Sequence, residues 1–279
     1  MHRSPTLPAR SSTRPDIVQL AHATIGRHRI RYGVRRGSAA HPPLLFFNGL
    51  GANIELAQPF VDALRAPTIV IFDVPGVGGS SPARVPYRPR HIAGIAGQLL
   101  DRLGFGVVDV LGVSWGGAIA QQFAFSHAKR TRKLVLAATA PGVTMIPGRP
   151  SVLAKMLTPR RYVDAVHAYD VAGDIYGGVF RTDRAAITRT LRHIRFSSRS
   201  GYYLQLAAAC GWTSLPWLWM LRQPTLILAG GDDPIVPAIN ARIMRRLMPD
   251  ARLAIVDDGH LFLVTKARES ARLVGEFLH

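Results

Sequence analysis

The stretch from Val107 to Phe125 leaves this chain little choice of fold. The apolar run Val107-Val108-Asp109-Val110-Leu111 reads as a buried strand, and Ala118-Ile119-Ala120-Gln121-Gln122-Phe123-Ala124-Phe125 reads as an apolar helix. Between them, Gly112-Val113-Ser114-Trp115-Gly116 has the spacing of a nucleophile elbow. Such a sharp strand-to-helix turn holds a serine in a strained backbone conformation and projects its hydroxyl. Flanking glycines are needed because a Cβ there would collide with strand or helix. In a chain of 279 residues with 26 glycines, the bare spacing arises by accident about one time in ten. The strand before it and the helix after it therefore carry the reading; the bland alternative is a serine in an ordinary loop.

Around this stretch the chain alternates short apolar strands with helical segments. Ile17 to Ala23 and Arg27 to Val34 form an expected antiparallel edge hairpin. Pro43 to Asn48, Thr68 to Phe72 and Lys133 to Ala138 are further expected strands, with helices over Glu55 to Arg65 and His91 to Leu103. After a gap the pattern resumes with strands at Thr225 to Ala229 and Arg252 to Val256, and helices at Pro237 to Met248 and Lys266 to Leu278. This rhythm predicts an α/β fold whose mostly parallel sheet is covered by helices on both faces. The core is expected in residues 16–141 and 223–279. The rhythm breaks over residues 142–222, which hold many large apolar groups, among them Tyr162, Tyr176, Tyr202, Trp212, Trp217 and Trp219. So long a structureless loop is implausible in a compact domain, so these residues are expected to form an inserted helical cap, or lid. Residues 1–15 read as a disordered basic tail without the apolar core of a signal peptide.

Composition narrows the function classes. Apolar residues make up 48% of the chain, which suits a folded globular protein, and no run of about 20 residues is apolar enough for a spanning helix. The single cysteine, Cys210, cannot form an internal disulfide, and a cytoplasmic location is the default. The net charge of +18 suits anionic partners, although a general bias toward arginine accounts for it equally well. The arginines are scattered and accompany no nucleic-acid-binding motif, so no nucleic acid is expected. No residue cluster has metal-ligand spacing and no dinucleotide fingerprint follows a first strand, so no cofactor or metal is expected.

Serine needs a base to take its proton, usually a histidine oriented by a carboxylate. On an elbow the chain order is serine, acid, histidine, each following a strand. Ser114 follows the middle strand, Asp233 follows the strand ending at Ala229, and His260 follows the last strand. None of the other nine of the ten histidines follows that strand. Asp233 is preferred to its neighbour Asp232 because it precedes Pro234 in a loop that can turn inward; Asp257 and Asp258 lie too close in sequence to His260. An oxyanion hole is expected from the N–H groups of Trp115 and of Leu50, within Asn48-Gly49-Leu50-Gly51. The Trp115 ring is expected on the floor of an apolar acyl site beneath the cap. Asn48, Gly49, Tyr202 and Trp212 are the candidate substrate-binding residues.

Several stretches together resemble one family. They are Phe47-Asn48-Gly49-Leu50-Gly51-Ala52-Asn53, Phe72-Asp73-Val74-Pro75-Gly76-Val77-Gly78-Gly79-Ser80-Ser81, Gly112-Val113-Ser114-Trp115-Gly116-Gly117 and Ala120-Gln121-Gln122-Phe123-Ala124. In the cap they are Ile175-Tyr176-Gly177-Gly178, Gly201-Tyr202-Tyr203 and Gly211-Trp212-Thr213-Ser214, and the last is Asp257-Asp258-Gly259-His260-Leu261-Phe262-Leu263. The chain is similar to the α/β-hydrolase superfamily and, within it, resembles the intracellular medium-chain-length polyhydroxyalkanoate depolymerases over roughly residues 44–264. Asn48 stands where many superfamily members carry histidine. The resemblance implies an α/β-hydrolase fold and a Ser114, Asp233, His260 triad. It also implies hydrolysis of poly(3-hydroxyalkanoate) to 3-hydroxy acids on cytoplasmic storage granules, with no cofactor. An esterase or thioesterase for small acyl substrates, and a non-catalytic granule-binding protein of the same fold, are the alternatives.

Overall fold

The computed structural model describes residues 18–83, 85–194 and 198–279; the tail expected at residues 1–15 lies outside them. The strands are β1 (Gln19–Ile25), β2 (His28–Arg35), β3 (Leu44–Phe47), β4 (Ile69–Phe72), β5 (Val108–Val113), β6 (Thr131–Ala137), β7 (Thr225–Gly230) and β8 (Ala251–Val256). The helices are α1 (Gln58–Ala63), α2 (Pro89–Arg102), α3 (Trp115–Ser126), α4 (Pro150–Met156), α5 (Arg160–Val163), α6 (Ala165–Tyr176), α7 (Arg184–Leu191), α8 (Arg199–Ala209), α9 (Ile239–Leu247), α10 (Phe262–Thr265) and α11 (Ala267–Leu278). Eight strands form one sheet in the order β1-β2-β4-β3-β5-β6-β7-β8. The β1–β2 hairpin is antiparallel and β2 meets β4 antiparallel; the remaining pairs are parallel. No described helix is long and apolar enough to cross a membrane.

The central strands are apolar on both faces because helices cover both. Side chains alternate with period two along a strand. Leu45 and Phe47 of β3 and Val70 and Phe72 of β4 pack with Ile92 and Leu99 of α2 and Ile119 and Phe123 of α3. Their neighbours Leu44, Phe46, Ile69 and Ile71 face the other way, against Phe60 of α1 and Val274 and Leu278 of α11. Fully burying one such side chain contributes about 1.5–3 kcal/mol, so two layers of them hold the sheet rigid beneath the loops at its carboxyl edge.

Between β6 and β7 the described chain contains α4 to α8 and short 3-10 turns. This insertion crosses the loops that follow the strands. Tyr162 Oη donates to the Leu50 carbonyl at 2.6 Å, and the Gly51 N–H donates to Gln205 Oε1 at 2.6 Å. At its far end the Ser214 hydroxyl donates to Gln121 Oε1 of α3 at 2.6 Å, and Gln121 donates to the Ala140 carbonyl at 3.2 Å. Both ends of the insertion are thus tied to α3 by buried polar bonds.

Candidate active site

Ser114 sits between β5 and α3 with φ 55° and ψ −121°, a conformation that costs an L-residue on the order of 1–3 kcal/mol. The turn closes because its glycines let other atoms come near. A Cβ at Gly112 would overlap the Gly116 carbonyl, and one at Gly116 would overlap the Phe47 carbonyl. Thr139 Oγ1 donates to the Ser114 carbonyl at 2.7 Å, and the Ser114 N–H donates to the Ala137 carbonyl at 2.9 Å. The serine is therefore held by β6 and the residues after it, at the carboxyl edge of the sheet.

His260 Nε2 lies 3.0 Å from Ser114 Oγ, and His260 Nδ1 lies 2.7 Å from Asp233 Oδ2. The other oxygen of Asp233 accepts the N–H groups of Ile235 and Val236, each at 2.9 Å. Both His260 and Asp233 are buried. Asp233 thus has its lone pairs committed and its orientation set, with one oxygen aimed at the imidazole. Its neighbour Asp232 turns outward to Arg181 at 2.6 Å and accepts the Gly178 N–H at 2.8 Å. Hydrogen bonding to the Arg181 guanidinium holds the Asp232 carboxyl below its ordinary value, with the Gly178 N–H adding to this. Asp258 is a structural carboxylate: it accepts the N–H groups of Val179 and Gly259, both at 2.8 Å, and the Thr265 hydroxyl. The His260 N–H itself donates to the Tyr176 carbonyl at 2.7 Å, so the turn after α6 fixes the backbone that presents the imidazole.

The loop after β3 approaches Ser114 from the opposite side. Asn48 Nδ2 donates to the Asn53 carbonyl at 2.7 Å, and the Ala52 N–H donates to the Gly49 carbonyl at 3.1 Å. An ideal Cβ built on Gly49 would lie 3.5 Å from Ser114 Cβ, so the loop backbone passes close to the serine. The Trp115 N–H is among the first of α3, which have no carbonyl to bond within the helix. The next loop is locked by Asp73, which is buried, accepts the N–H groups of Ile54 and Gly79, and pairs with Arg31 at 3.0 Å. Burial pushes the Asp73 carboxyl above its ordinary value, opposed by the Gly79 N–H and Arg31.

Ser114 and His260 line a narrow cavity of about 50 Å³ together with Asn48, Gly49 and Leu50. Phe46, Phe60 and Val113 form part of its apolar wall, and Leu261, Leu263 and Val264 add to it. Three expectations need correction. The Trp115 ring lies in the core with α2, 6.5 Å from the Tyr87 ring, and not on the cavity floor. As the first residue of α3 it is directed to the sheet face opposite Phe46 and Phe60. Trp212 does not reach the cavity either: its indole donates to Gln122 Oε1 at 3.1 Å, beside Arg88 and Arg90. Tyr202 is fully buried and stands behind the wall, donating to the Met156 carbonyl and accepting from Arg161. The insertion instead contributes Met156, Arg161, Tyr162, Tyr176 and Ile194 to the cavity. Tyr162 and Tyr176 stood among the large cap residues in the sequence, but Arg161 gave no signal: it follows another arginine, and packing alone buries the second of the two.

Residues 42–267 match the alpha/beta hydrolase fold family. A poly(3-hydroxyalkanoate) depolymerase from Ectopseudomonas oleovorans is 52% identical over 250 residues, covering 89% of this chain and 88% of that protein. A 2-hydroxymuconate semialdehyde hydrolase from Pseudomonas sp. (strain CF600) is 28% identical over 284 residues, covering 91% and 94%. Among solved structures, the enol-lactonase from Burkholderia xenovorans LB400 is similar with a TM-score of 0.79 at 21% identity, covering 92% of this chain and 99% of that one.

Proposed function

The chain belongs to the alpha/beta hydrolase fold family, and from that premise we propose that it hydrolyses the ester bonds of stored medium-chain-length poly(3-hydroxyalkanoate) to 3-hydroxy acids through an acyl-enzyme on Ser114. The observation that carries the chemistry is the run of contacts from Ser114 Oγ to His260 to Asp233. The polymer is suggested by the depolymerase that is 52% identical along most of both chains.

In this mechanism His260 Nε2 takes the hydroxyl proton as Ser114 Oγ forms a bond to the ester carbonyl carbon. Asp233 keeps the Nδ1 proton directed at itself and stabilises the imidazolium. The oxyanion accepts hydrogen bonds from the Leu50 and Trp115 N–H groups, the latter at the positive end of α3. The carbon–oxygen bond to the leaving chain then breaks, and His260 gives the proton to the departing alkoxide oxygen, which leaves as a hydroxyl. Water, deprotonated by the same imidazole, attacks the acyl-enzyme; the acyl–Oγ bond breaks, His260 returns the proton to Ser114 Oγ, and the acid leaves. Residues 142–222 act as the cap over a core of residues 16–141 and 223–279. Asn48 and Gly49 contact the substrate from the loop after β3.

Adsorption to a cytoplasmic granule fits a second set of residues. Trp219, Met220 and Leu215 are exposed, and the Trp217 ring lies 4.6 Å from that of Phe125, tilted by 34°. With the charge of +18, this surface suits an apolar granule with an anionic coat. Binding to granules should weaken with added salt and with joint replacement of Trp212, Trp217 and Trp219 by serine; binding that responds to neither removes the adsorption role.

The narrow cavity favours one competing reading, an esterase or thioesterase for small acyl groups. An apolar cavity of about 150 Å³ holds benzene and the space here is smaller, so a medium-chain residue calls for movement of the cap. Polymer granules and soluble p-nitrophenyl esters of rising chain length separate the two. Ser114→Ala should lower turnover of both by a factor on the order of 10⁶. Short-ester turnover without release of 3-hydroxy acids from granules would replace the polymer with a small substrate; hydrolysis unchanged in Ser114→Ala would mean that Ser114 is not the nucleophile or that the activity is foreign, and granule binding without any hydrolysis would leave only a non-catalytic role.

A further inference from the structure

We propose that Arg161 binds a carboxylate, so that the cavity beside Ser114 recognises polyester chains by their free carboxyl end. The inference rests on ester cleavage at Ser114 and adds to it where along the chain cleavage begins.

Arg161 is 3% exposed and lines the same cavity as Ser114 and His260. Its hydrogen-bond partners are neutral. Nη1 donates to Tyr202 Oη at 2.8 Å and to the Thr158 carbonyl at 3.3 Å, Nη2 donates to Tyr162 Oη at 3.5 Å, and Nε has no partner. The guanidinium carbon lies 4.5 Å from the Tyr162 ring centroid and 5.2 Å from that of Tyr202. Loss of hydration raises the Tyr176 hydroxyl above its ordinary value and Tyr202 to about 12, so these phenols supply no negative charge at neutral pH.

Among the described residues no carboxylate pairs with Arg161. The more exposed Arg31 pairs with Asp73 and Glu55, and Arg132 with Asp109; Arg35, as buried as Arg161, donates to the Leu64, Arg65 and Pro67 carbonyls, whereas Arg161 lines the cavity that holds Ser114. A guanidinium stays charged at any physiological pH, and burying it against neutral groups alone is unfavourable. Its fork is shaped for a planar carboxylate. An anion entering the cavity would supply the missing counter-charge.

The polymer's chemistry offers one close to the scissile bond. In a poly(3-hydroxyalkanoate) the terminal carboxylate is separated from the last ester oxygen only by C2 and C3 of the same residue. The hydroxyl of Tyr162, next to Arg161, bonds the Leu50 carbonyl, so the guanidinium stands beside the loop proposed to cradle the oxyanion. With the carboxylate on Arg161 and the last ester carbonyl at Ser114, cleavage frees the terminal 3-hydroxy acid as the leaving alcohol. The scissile carbon–oxygen bond is replaced first by the acyl–Ser114 bond and then by the bond to water. The next residue becomes the new carboxyl end.

The test uses the full chain and a 3-hydroxyoctanoate dimer, as free acid and as methyl ester, at about 0.3 M salt, where surface charges are screened. In the unmodified enzyme kcat/KM should favour the acid by about tenfold to a hundredfold. Arg161→Gln should bring this ratio close to one, and Arg161→Lys should keep part of it. A ratio near one in the unmodified enzyme, or an equal loss on both dimers in Arg161→Gln, overturns the carboxylate site. Should the Arg161 variants fail to fold, calorimetry on Ser114→Ala decides: 3-hydroxyoctanoate must bind more tightly than its methyl ester, and equal binding overturns the proposal. Equal cleavage of both dimers removes the carboxylate site while leaving the polyester reading intact. Acid binding to Ser114→Ala, with neither dimer nor polymer cleaved by the unmodified enzyme, does the reverse.

Discussion

Two parts of the insertion meet the loops around Ser114 and His260, and they do so in different ways. The turn after α6, from Tyr176 to Arg181, is joined to them backbone to backbone and through carboxylates. The Tyr176 carbonyl holds the His260 N–H, Val179 bonds Asp258, and Gly178 and Arg181 bond Asp232. Contact there is so close that a Cβ on Gly259 would overlap the Tyr176 carbonyl, and one on Gly178 would overlap the Asp258 carboxylate. Helix α5 reaches the site only through the side chains of Arg161 and Tyr162. The first contact belongs to the frame that aims the imidazole; the second forms a wall around whatever enters. Changes in the turn should therefore alter turnover of every ester, whereas changes in α5 should alter which esters are turned over.

The largest effect expected within the frame is at its carboxylate. Asp233→Asn should lower kcat for soluble esters by about 10⁴-fold, because the imidazole loses the partner that sets its tautomer. A loss no larger than that of Asp232→Asn would break the assignment of the inward carboxylate. Next comes Gly259→Ala. The new methyl must displace either the turn or the histidine loop, and a misplacement of about 1 Å costs about 10²-fold in rate. A similar fractional loss on short and long esters, with a lower thermal midpoint, would sharpen the distinction between frame and wall; unchanged kcat would erase it.

The smallest effect belongs to Asp232→Asn. The pair with Arg181 is exposed on both sides and contributes less than about 1 kcal/mol. Because the Asp232 carboxyl is depressed in the folded protein, this contribution is complete above the ordinary aspartate pKa of about 4 and is lost as pH falls through the lower folded value. Thermal midpoints of the two proteins should therefore differ at neutral pH and converge in acid. A gap that widens in acid would give Asp232 a different role.

The meeting of Ser114, Asp233 and His260 was legible because each follows a strand, and a fully buried strand is a dense apolar run that ends abruptly. Topology then brings three distant loops to one edge. The choice between Asp232 and Asp233 needed only one further fact, which side of the loop faces the histidine. The insertion was legible as helical but not in its orientation. Tryptophan and tyrosine look alike as large apolar residues, yet Trp212, Trp217 and Trp219 stay out of the cavity while Tyr162 and Tyr176 line it. Arg160 and Arg161 are adjacent and chemically identical, and only the packing of α5 against Tyr202 buries one of them.

The backbone at Ser114 has a consequence for stability. With φ at 55°, glycine would relieve the strain there, and removing such strain stabilises a fold by roughly 1 kcal/mol or more. A chain released from the need to cleave esters would thus gain stability by exchanging this serine for glycine. Ser114→Gly should therefore raise the thermal midpoint even as it removes the hydroxyl.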